Sequence, residues 1–253
     1  MNLCTDQLLL LLAPREHIVS LSHLATDPLH SPLAAAARGL HLNHARAEEL
    51  LPLRPELVLG AQFSATFASN LLQRLGYPVL RLGFASSTAD ISAQIMTVAE
   101  AIGAQPRGLA LLAQMQDDME QARKGLLERT RGKSALFYSS NGMAAGTGTL
   151  QDEFIRSLGM NNAAAYLHGT APLGVEQLLR LAPDLLFINP PVAEDALLAH
   201  AMLQHPALRA LPGQLRLIEL ADSHFACASP HYAEAYQALA RQLSADVDVN
   251  VPL

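Results

Sequence analysis

Short apolar runs alternate along this chain with stretches whose apolar residues recur at helical spacing. Runs at residues 56–60, 78–82 and 184–188 have the length of buried strands, and polar or small residues and then a helical pattern follow each of them. The same pattern predicts strands at 17–21, 134–138 and 215–220, and a closing helix at 230–243. Alternation of this kind indicates βα units built around parallel sheets, so the predicted fold class is α/β.

The middle of the chain carries a helical pattern without any strand signal. Apolar positions predict one helix at 90–102, and a Gly-Ala-Gln-Pro break at 103–106 separates it from a second, longer helix at about 107–129. The predicted division is therefore an N-terminal α/β lobe at 1–104, a connecting helix at 105–130 and a C-terminal α/β lobe at 131–253.

The two halves also repeat one another. Residues 47–59 and 175–187 both contain a glutamate, a short amphipathic helix, a proline, an acidic residue and a buried strand. An internal repeat of this length indicates two related halves, although αβ units of unrelated origin also look alike.

Composition excludes several classes of protein. Half of the residues are apolar, which suffices for a substantial core, and the formal net charge is -6. Because phosphate contacts need clustered positive charge and the chain has no run rich in Lys or Arg, we expect no nucleic-acid partner. The longest apolar run, 8–13, is far shorter than the ~20 residues that cross a bilayer, and the N-terminus lacks the pattern of a signal peptide. The chain as given is predicted to be soluble.

Several segments together resemble the metal-chelate and vitamin B12 binding proteins of ABC importers. The pattern E-x-L-L-x-L-x-P-D/E-L-V occurs once in each half, beginning at Glu48 and Glu176. The segment Asn-Leu-Cys-Thr-Asp-Gln-Leu-Leu at 2–9 resembles the opening of one bacterial branch of that family. The resemblance extends through 24–28, 75–79 and 203–208, and so spans essentially the whole chain.

The resemblance implies two Rossmann-like lobes bridged by a single long helix, with a ligand cleft between the lobes. It implies a periplasmic, monomeric protein that captures a ferric siderophore or a cobalamin-like corrinoid, has no catalytic residues and needs no cofactor. Its partners would be the transmembrane subunits of the permease, which one glutamate per lobe, Glu48 and Glu176, would contact. Relatives usually carry a strand before the segment at 2–9, so we expect the first sheet to lack that strand.

Ligands of parallel α/β sheets bind beyond the carboxyl ends of the strands. Aromatic residues make up only 5% of the chain, so rings in the loops after the strands are notable, because a bulky chelate is well held by aromatic faces and a few polar groups. The alternative is that these rings pack beneath the loops. The predicted ligand-binding residues are Asp27, Gln62, Phe63, Phe84, Tyr138, Ser139, Asn141, His224 and Phe225.

The two cysteines, Cys4 and Cys227, stand near opposite ends of the chain. Both are predicted in loops that follow strands, one in each half, which places both near the expected cleft. We expect a disulfide between them, and the alternative is two free thiols that face the ligand.

Other chemistry has weaker support in the sequence. The ten histidines include His23, His168, His224 and His231 as candidates for direct metal binding, but no ligand spacing joins them. The glycine-rich run 141–150 lacks the Walker Lys-Ser/Thr pair, so a turn that begins a helix through Thr147 or Thr149 is the simpler interpretation. Alternatives to a chelate-binding protein are a haem or metal-ion binder, an enzyme using Ser139, His224 and Asp222, and a sensor that reuses the fold.

The charge of the predicted loops bears on the ligand. Lys and Arg are scarce in them, whereas catecholate siderophores are highly anionic and usually call for paired arginines. The sequence therefore favours a neutral or weakly charged chelate, or a corrinoid.

Overall fold

The computed structural model describes residues 1–139, 141–190, 215–227 and 229–244. Of the segments that carry the resemblance, 203–208 lies outside these residues. The helices are α1 Leu3–Leu12, α2 Ala34–Ala37, α3 Ala47–Leu50, α4 Thr66–Arg74, α5 Thr88–Ala101, α6 Gln105–Thr130, α7 Leu150–Ser157, α8 Val175–Leu181 and α9 Tyr232–Ser244. The strands are β1 Leu21–Ser22, β2 Leu42–Asn43, β3 Val58–Ala61, β4 Val79–Leu82, β5 Ser134–Phe137, β6 Met143–Ala145, β7 Asn161–Asn162, β8 Thr170–Pro172, β9 Leu185–Ile188 and β10 Arg216–Glu219. The predicted α/β class is confirmed.

The chain divides into two compact units. The first contains Met1–Met115 and Ala226–His231, and the second contains Gln116–Phe225 and Tyr232–Leu253. The division falls within α6, between Met115 and Gln116, rather than at the two ends of that helix. A short segment near the C-terminus therefore returns to the first unit.

Parallel strand pairs organise both units. In the first, β1 pairs with β2 and β3 pairs with β4. In the second, the sheet has the order β10-β9-β5-β7 with all three pairings parallel, and β6 and β8 form an antiparallel pair. Each of the long predicted strands is present, shortened by one or two residues.

The core of the first unit lies between α1, α5 and the strand pairs. Leu8 and Leu12 on α1 and Ile91, Ile95 and Val98 on α5 are almost completely buried. Their spacing of three or four residues puts each set on one helix face.

The core of the second unit is aromatic. Phe154 of α7 is fully buried, and its ring contacts those of Phe137, Phe187 and Tyr236 with centroids 4.7–5.9 Å apart. These contacts are edge-to-face, the geometry that the ring quadrupoles favour.

The internal repeat extends to the backbone. Arg54 has φ 46° and ψ 56°, and Ala182, its counterpart in the second half, has φ 40° and ψ 60°. Both adopt the left-handed conformation directly before a proline, which disfavours the right-handed helical region for the residue that precedes it. The same turn therefore ends the short helix and starts the strand in each half.

Two predictions near the N-terminus are wrong. Residues 15–17 form a 3₁₀ turn, so the strand predicted at 17–21 is reduced to β1. Cys4 lies within α1 and not in a loop, because Asn2 begins a helix there: its side chain accepts a hydrogen bond from the Thr5 backbone N–H at 2.9 Å.

Within the described residues, no helix combines the length and the apolar character that a membrane span requires.

Candidate ligand-binding site

The first unit presents four rings just beyond its parallel strands. In the β1–β2 pair, Ser22 lies opposite Asn43, and the next residues along the chain are His23 and His44. Their imidazole rings are stacked, with centroids 4.8 Å apart and planes 23° apart. Neighbouring strands are separated by about 4.8 Å, so the ring spacing continues the spacing of the sheet.

Phe63 and Phe84 repeat this arrangement at the ends of β3 and β4. Ala61 lies opposite Leu82, and each phenylalanine stands two residues further on. The rings are parallel within 10° and their centroids are 4.8 Å apart. Phe63 is 69% exposed and Phe84 is 79% exposed, so this pair is an open aromatic surface and not a part of the core. Both predicted ligand-binding rings thus lie together, and Gln62 is exposed beside Phe63.

Carboxylates hold the loops that carry the histidines. The backbone N–H of His44 donates to Glu49 Oε2 at 2.6 Å, and His44 Nδ1 lies 3.3 Å from Glu49 Oε1. These hydrogen bonds lower the pKa of the Glu49 carboxyl, and the bond from the His44 backbone N–H has the largest effect. The predicted residue Asp27 acts in the same way on its own loop. It accepts from the Leu29 backbone N–H at 2.9 Å and contacts His30 Nδ1 at 2.8 Å, and these bonds lower its pKa.

A buried carboxylate, that of Asp6, is hydrogen-bonded to the end of β1. Asp6 of α1 is fully buried, and its Oδ2 accepts hydrogen bonds from the Ser22 hydroxyl and from the Ser22 backbone N–H, the latter at 2.9 Å. Burial raises the pKa of Asp6 because the charged form loses its hydration. The residue that precedes His23 is therefore tied to α1.

The second unit presents polar groups beyond its parallel strands. The Ser139 hydroxyl, after β5, donates to Asn141 Oδ1 at 2.5 Å. Asn189, directly after β9, donates to the Asp222 carboxylate, which follows β10. Burial raises the pKa of Asp222, and the hydrogen bond from Asn189 partly offsets that effect. The predicted residue His224 is largely buried, with Nδ1 3.8 Å from Glu234 Oε2.

Two of the predicted ligand-binding rings are buried in the second unit instead of facing solvent. Tyr138 is 5% exposed and its hydroxyl donates to the Leu173 carbonyl at 2.9 Å. Phe225 is 7% exposed and packs edge-to-face against Phe137 and Phe154. For these two, the alternative interpretation that the rings pack beneath the loops is the correct one, because the second unit builds its core from aromatic residues.

Sequence reasoning missed two residues of these surfaces. The sequence does not indicate His44, because the two-residue strand β2 before it has no recognisable pattern. The sequence does not indicate the contact of Asn189 with Asp222 either, because that contact depends on the adjacency of β9 and β10.

The two glutamates predicted for permease contact occupy equivalent positions. Glu48 is in the first turn of α3 and Glu176 is in the first turn of α8, and both are exposed. The neighbouring Glu49 accepts a hydrogen bond from the His44 backbone N–H, and its carboxylate also lies beside the His44 ring. Glu48 is therefore exposed to solvent, whereas the Glu49 carboxylate in the same turn is hydrogen-bonded to His44.

Cys4 and Cys227 are joined by a disulfide. Cys227 belongs to the segment Ala226–His231 and is 3% exposed. The bond lies within the first unit and attaches this C-terminal segment to α1.

The glycine-rich run has a structural role in the second unit. Gly146 lies so close to the backbone of Leu167 that a Cβ atom on residue 146 would stand 2.4 Å from the Leu167 carbonyl oxygen. Thr149 then caps α7, since its hydroxyl accepts from the Asp152 backbone N–H at 3.1 Å. The expectation that Thr149 begins a helix is confirmed, whereas residues 143–145 of the run form strand β6 and only the residues after them form the turn.

A surface cavity of about 380 Å³ lies beside this turn, lined in part by Asp152, Arg156 and Asn162. These side chains satisfy one another: Arg156 Nε donates to Asp152 at 2.9 Å, and so does Asn162 Nδ2. The cavity is therefore a poorer candidate site than the ring surfaces. Across residues 1–139, 141–190, 215–227 and 229–244, no group of three or more His, Cys, Asp or Glu side chains is arranged to hold a metal ion.

Comparison with protein families gives a match over most of the chain. The profile of the family described as "Periplasmic binding protein" matches residues 1–213. The chain belongs to this family. Comparison with curated protein sequences gives no match.

Solved structures of similar fold cover nearly the whole chain. The haem-binding protein RhuT from Roseiflexus sp. RS-1 is 27% identical, with a TM-score of 0.73 and coverage of 95% of this chain and 94% of that one. The vitamin B12 binding protein BtuF of Vibrio cholerae is 14% identical, with a TM-score of 0.69 and coverage of 96% and 94%. A protein of an Fe³⁺-hydroxamate ABC-type transport system from Saccharomonospora viridis DSM 43017 is 18% identical, with a TM-score of 0.69 and coverage of 97% and 92%. The last two similarities are of fold.

Proposed function

We propose that this chain is the periplasmic solute-binding protein of an ABC importer, and that it captures a metal chelate without chemical turnover and delivers it to the permease. The observation that carries the proposal is the stacked, exposed pair Phe63 and Phe84 beyond the carboxyl ends of β3 and β4. Adjacent apolar surface of this kind is costly to leave in water and marks a binding surface.

Family membership supports a capture role for this surface. Ligands of parallel α/β folds bind beyond the carboxyl ends of the strands, which is where both rings stand. Two parallel rings offer a flat apolar face, and such a face complements an organic chelate better than it does a hydrated metal ion. Gln62 beside Phe63 is exposed and supplies a hydrogen-bonding group next to the rings.

Delivery is assigned to Glu48 and Glu176. Each is an exposed carboxylate in the first turn of a helix that the internal repeat relates to the other. A carboxylate in that position also complements the helix dipole, by about 0.3–1 kcal/mol, and the two roles are compatible.

A second candidate ligand is haem. It is favoured by the 27% identity to RhuT, a haem-binding protein, together with the flat surface that Phe63 and Phe84 present.

The experiment that tests the proposal is a titration of the purified protein with cobalamin, haemin and ferric trishydroxamates. Because the chain has no tryptophan, binding is followed by ligand absorbance and by the shift in melting temperature. A saturable one-to-one response to one ligand, with the ligand recovered unchanged, supports capture. Recovery of a chemically altered ligand, or no response to any of them from folded protein, contradicts it.

A further inference from the structure

Two neighbouring strands of the first unit hold the imidazoles of His23 and His44 side by side. Ser22 of β1 lies opposite Asn43 of β2, so the next residues along both strands are the two histidines. Their rings are stacked with centroids 4.8 Å apart, and both residues are exposed. Imidazole nitrogen is a donor that suits borderline divalent cations such as Cu²⁺, Ni²⁺ and Zn²⁺. The pair therefore has the chemistry of a metal site.

Hydrogen bonds fix the position and the tautomer of His44. Glu49 Oε2 accepts from the His44 backbone N–H at 2.6 Å, and Glu49 Oε1 lies 3.3 Å from His44 Nδ1. Because an ionised carboxylate only accepts hydrogen bonds, the proton of the neutral ring is assigned to Nδ1, and Nε2 keeps its lone pair. A carboxylate behind the ring is the outer-shell arrangement of metal-binding histidines, and it raises the basicity of the ligating nitrogen.

His23 is positioned through the residue before it. Asp6 Oδ2 accepts hydrogen bonds from the Ser22 hydroxyl and, at 2.9 Å, from the Ser22 backbone N–H. Asp6 also interacts electrostatically with His23, so each ring has a carboxylate in its surroundings, which favours a bound cation. Arg46 carries the opposite charge nearby in sequence, but it is exposed, and solvent screens it.

The arrangement of the rings limits which coordination positions they can fill. Rings that lie side by side can take only neighbouring positions of one metal ion, because opposite positions require the rings to face each other across it. Metal–nitrogen bonds of about 2.0–2.1 Å at neighbouring positions place the two nitrogens ~3 Å apart, which exposed rings on adjacent strands reach by small rotations. In the described part of the chain, no third His, Cys, Asp or Glu joins the pair, so the other positions of the ion are left to small donors.

We propose that His23 and His44 form a site for one borderline divalent cation with two neighbouring coordination positions available, either hydrated or held by an open-chain chelator. The site lies wholly within the first unit and is independent of chelate capture by Phe63 and Phe84. It discriminates by coordination geometry. A planar macrocycle leaves only opposite positions of its metal open, so a metal in a porphyrin or corrin could take one of the two imidazoles but not both.

The test uses the full chain, without a polyhistidine tag, and two nickel complexes. Tetradentate nitrilotriacetate leaves two neighbouring positions of octahedral Ni²⁺ open, whereas hexadentate ethylenediaminetetraacetate leaves none. Isothermal titration calorimetry measures the binding of each complex to the unaltered chain and to His23→Gln and His44→Gln. His30→Gln is the matched control, because His30 is also exposed and its Nδ1 lies 2.8 Å from a carboxylate oxygen of Asp27.

A second measurement counts the nitrogens on the metal. Electron paramagnetic resonance of one equivalent of Cu²⁺ should show two imidazole nitrogens on the copper in the unaltered chain and one in His23→Gln or His44→Gln. The melting temperature of the metal-free protein should be the same in all variants, since the substituted residues are exposed. A merely structural role of the histidines would not change the copper spectrum.

The nitrilotriacetate complex is expected to bind one-to-one and the ethylenediaminetetraacetate complex not to bind. Each of His23→Gln and His44→Gln should weaken binding by about tenfold or more, and His30→Gln should not. Absence of binding, binding that survives either substitution, or an equal loss in His30→Gln would overturn the inference. Capture by Phe63 and Phe84 is judged by the separate titration with cobalamin, haemin and trishydroxamates, so either proposal can fail while the other stands.

Discussion

The ring of Phe63 lies over the ring of Phe84 because β3 and β4 end in register, with Ala61 opposite Leu82 and one ring two residues beyond each. The parallel ladder sets the spacing of the rings, and neither ring needs a pocket to hold it. An aromatic surface is thus assembled at the edge of the first unit from two short strands. His23 and His44, one residue beyond β1 and β2, follow the same rule.

Removal of either phenylalanine ring is expected to weaken ligand binding without unfolding the protein. Each of Phe63→Ala and Phe84→Ala removes one half of the stacked surface, and loss of ~1.4 kcal/mol of contact corresponds to about tenfold in affinity. Since both rings are exposed, the melting temperature should change little. Absorbance titration against the ligand identified above measures the first effect, and thermal unfolding measures the second.

Leu75→Ala is the matched control for these variants. Leu75 is also a large exposed apolar residue, at 53%, but it stands at the C-terminal end of α4, away from the strand ends. The Leu75→Ala variant should bind the ligand with the same affinity as the unaltered chain. Unchanged affinity in both phenylalanine variants would exclude this surface as the ligand contact.

The disulfide is expected to contribute much of the stability of the first unit. Cys4 and Cys227 are 223 residues apart in sequence, and the chain-entropy model gives about 5 kcal/mol for closing so long a loop, although measured values are often smaller. Cys4→Ser with Cys227→Ser should lower the free energy of unfolding in urea. It should also increase hydrogen exchange in the segment Ala226–His231, which this bond attaches to α1.

Reductant supplies the control for the disulfide prediction. The unaltered chain should lose stability in dithiothreitol, whereas the double serine variant should not respond to it. Equal urea midpoints for the oxidised and reduced forms would contradict a stabilising role.

The sequence predicts the large elements of this fold better than the small ones. The pattern predicts the long helix at about 107–129, and α6 spans Gln105–Thr130; a pattern sustained over many turns leaves little ambiguity. β1 and β2 have two residues each, too few for an alternating pattern, so the strand before His23 was misplaced and that before His44 was missed. The sequence does not predict the start of α1, because Cys4 is expected in a loop after a strand, whereas Asn2 caps a helix there.

The candidate site is predictable only in part for a related reason. A ring after a strand looks the same in sequence whether it faces solvent, as Phe63 does, or closes a core, as Phe225 does. The difference depends on whether other aromatic residues surround it, and Phe225 contacts Phe137 and Phe154, which are distant in sequence. Contacts between distant residues cannot be obtained from local pattern.

Asp222 is expected to make stability depend on pH. Burial raises its pKa in the folded state, so folding favours the protonated form. Its contribution to stability is therefore fully present below the ordinary Asp pKa and is lost as the pH rises through the raised value. Asp222→Asn should accordingly be more stable than the unaltered chain at pH 7, and the difference should disappear in acid.

Urea unfolding at a series of pH values checks this. Asp184→Asn is the control, since Asp184 is an exposed acid before β9 that accepts a hydrogen bond from the Ser134 backbone N–H. A constant difference between Asp222→Asn and the unaltered chain at every pH would refute titration of Asp222 as the cause.

Loss of the docking glutamates is expected to separate transport from binding. Glu48→Ala and Glu176→Ala remove exposed carboxylates from α3 and α8, so uptake of the ligand by cells that carry the cognate permease should fall several-fold for each and further for the double variant. Affinity for the ligand in solution should not change. Glu128→Ala, at an exposed position of α6, is the matched control and should transport normally. Normal uptake by the double variant would contradict the docking assignment.

Phe154 is expected to be the most sensitive position of the second unit. It is fully buried and contacts the rings of Phe137, Phe187, Phe225 and Tyr236. Phe154→Ala removes one partner from each of these four edge-to-face contacts and leaves a cavity, at a cost of about 3–5 kcal/mol. Four of the five tyrosines, all but Tyr77, belong to the second unit, so near-ultraviolet circular dichroism during urea unfolding follows mainly that unit. Phe67→Ala, at a ring that is 80% exposed in the first unit, should leave the transition unchanged. If the two variants unfold at the same urea concentration, the aromatic cluster does not stabilise the second unit.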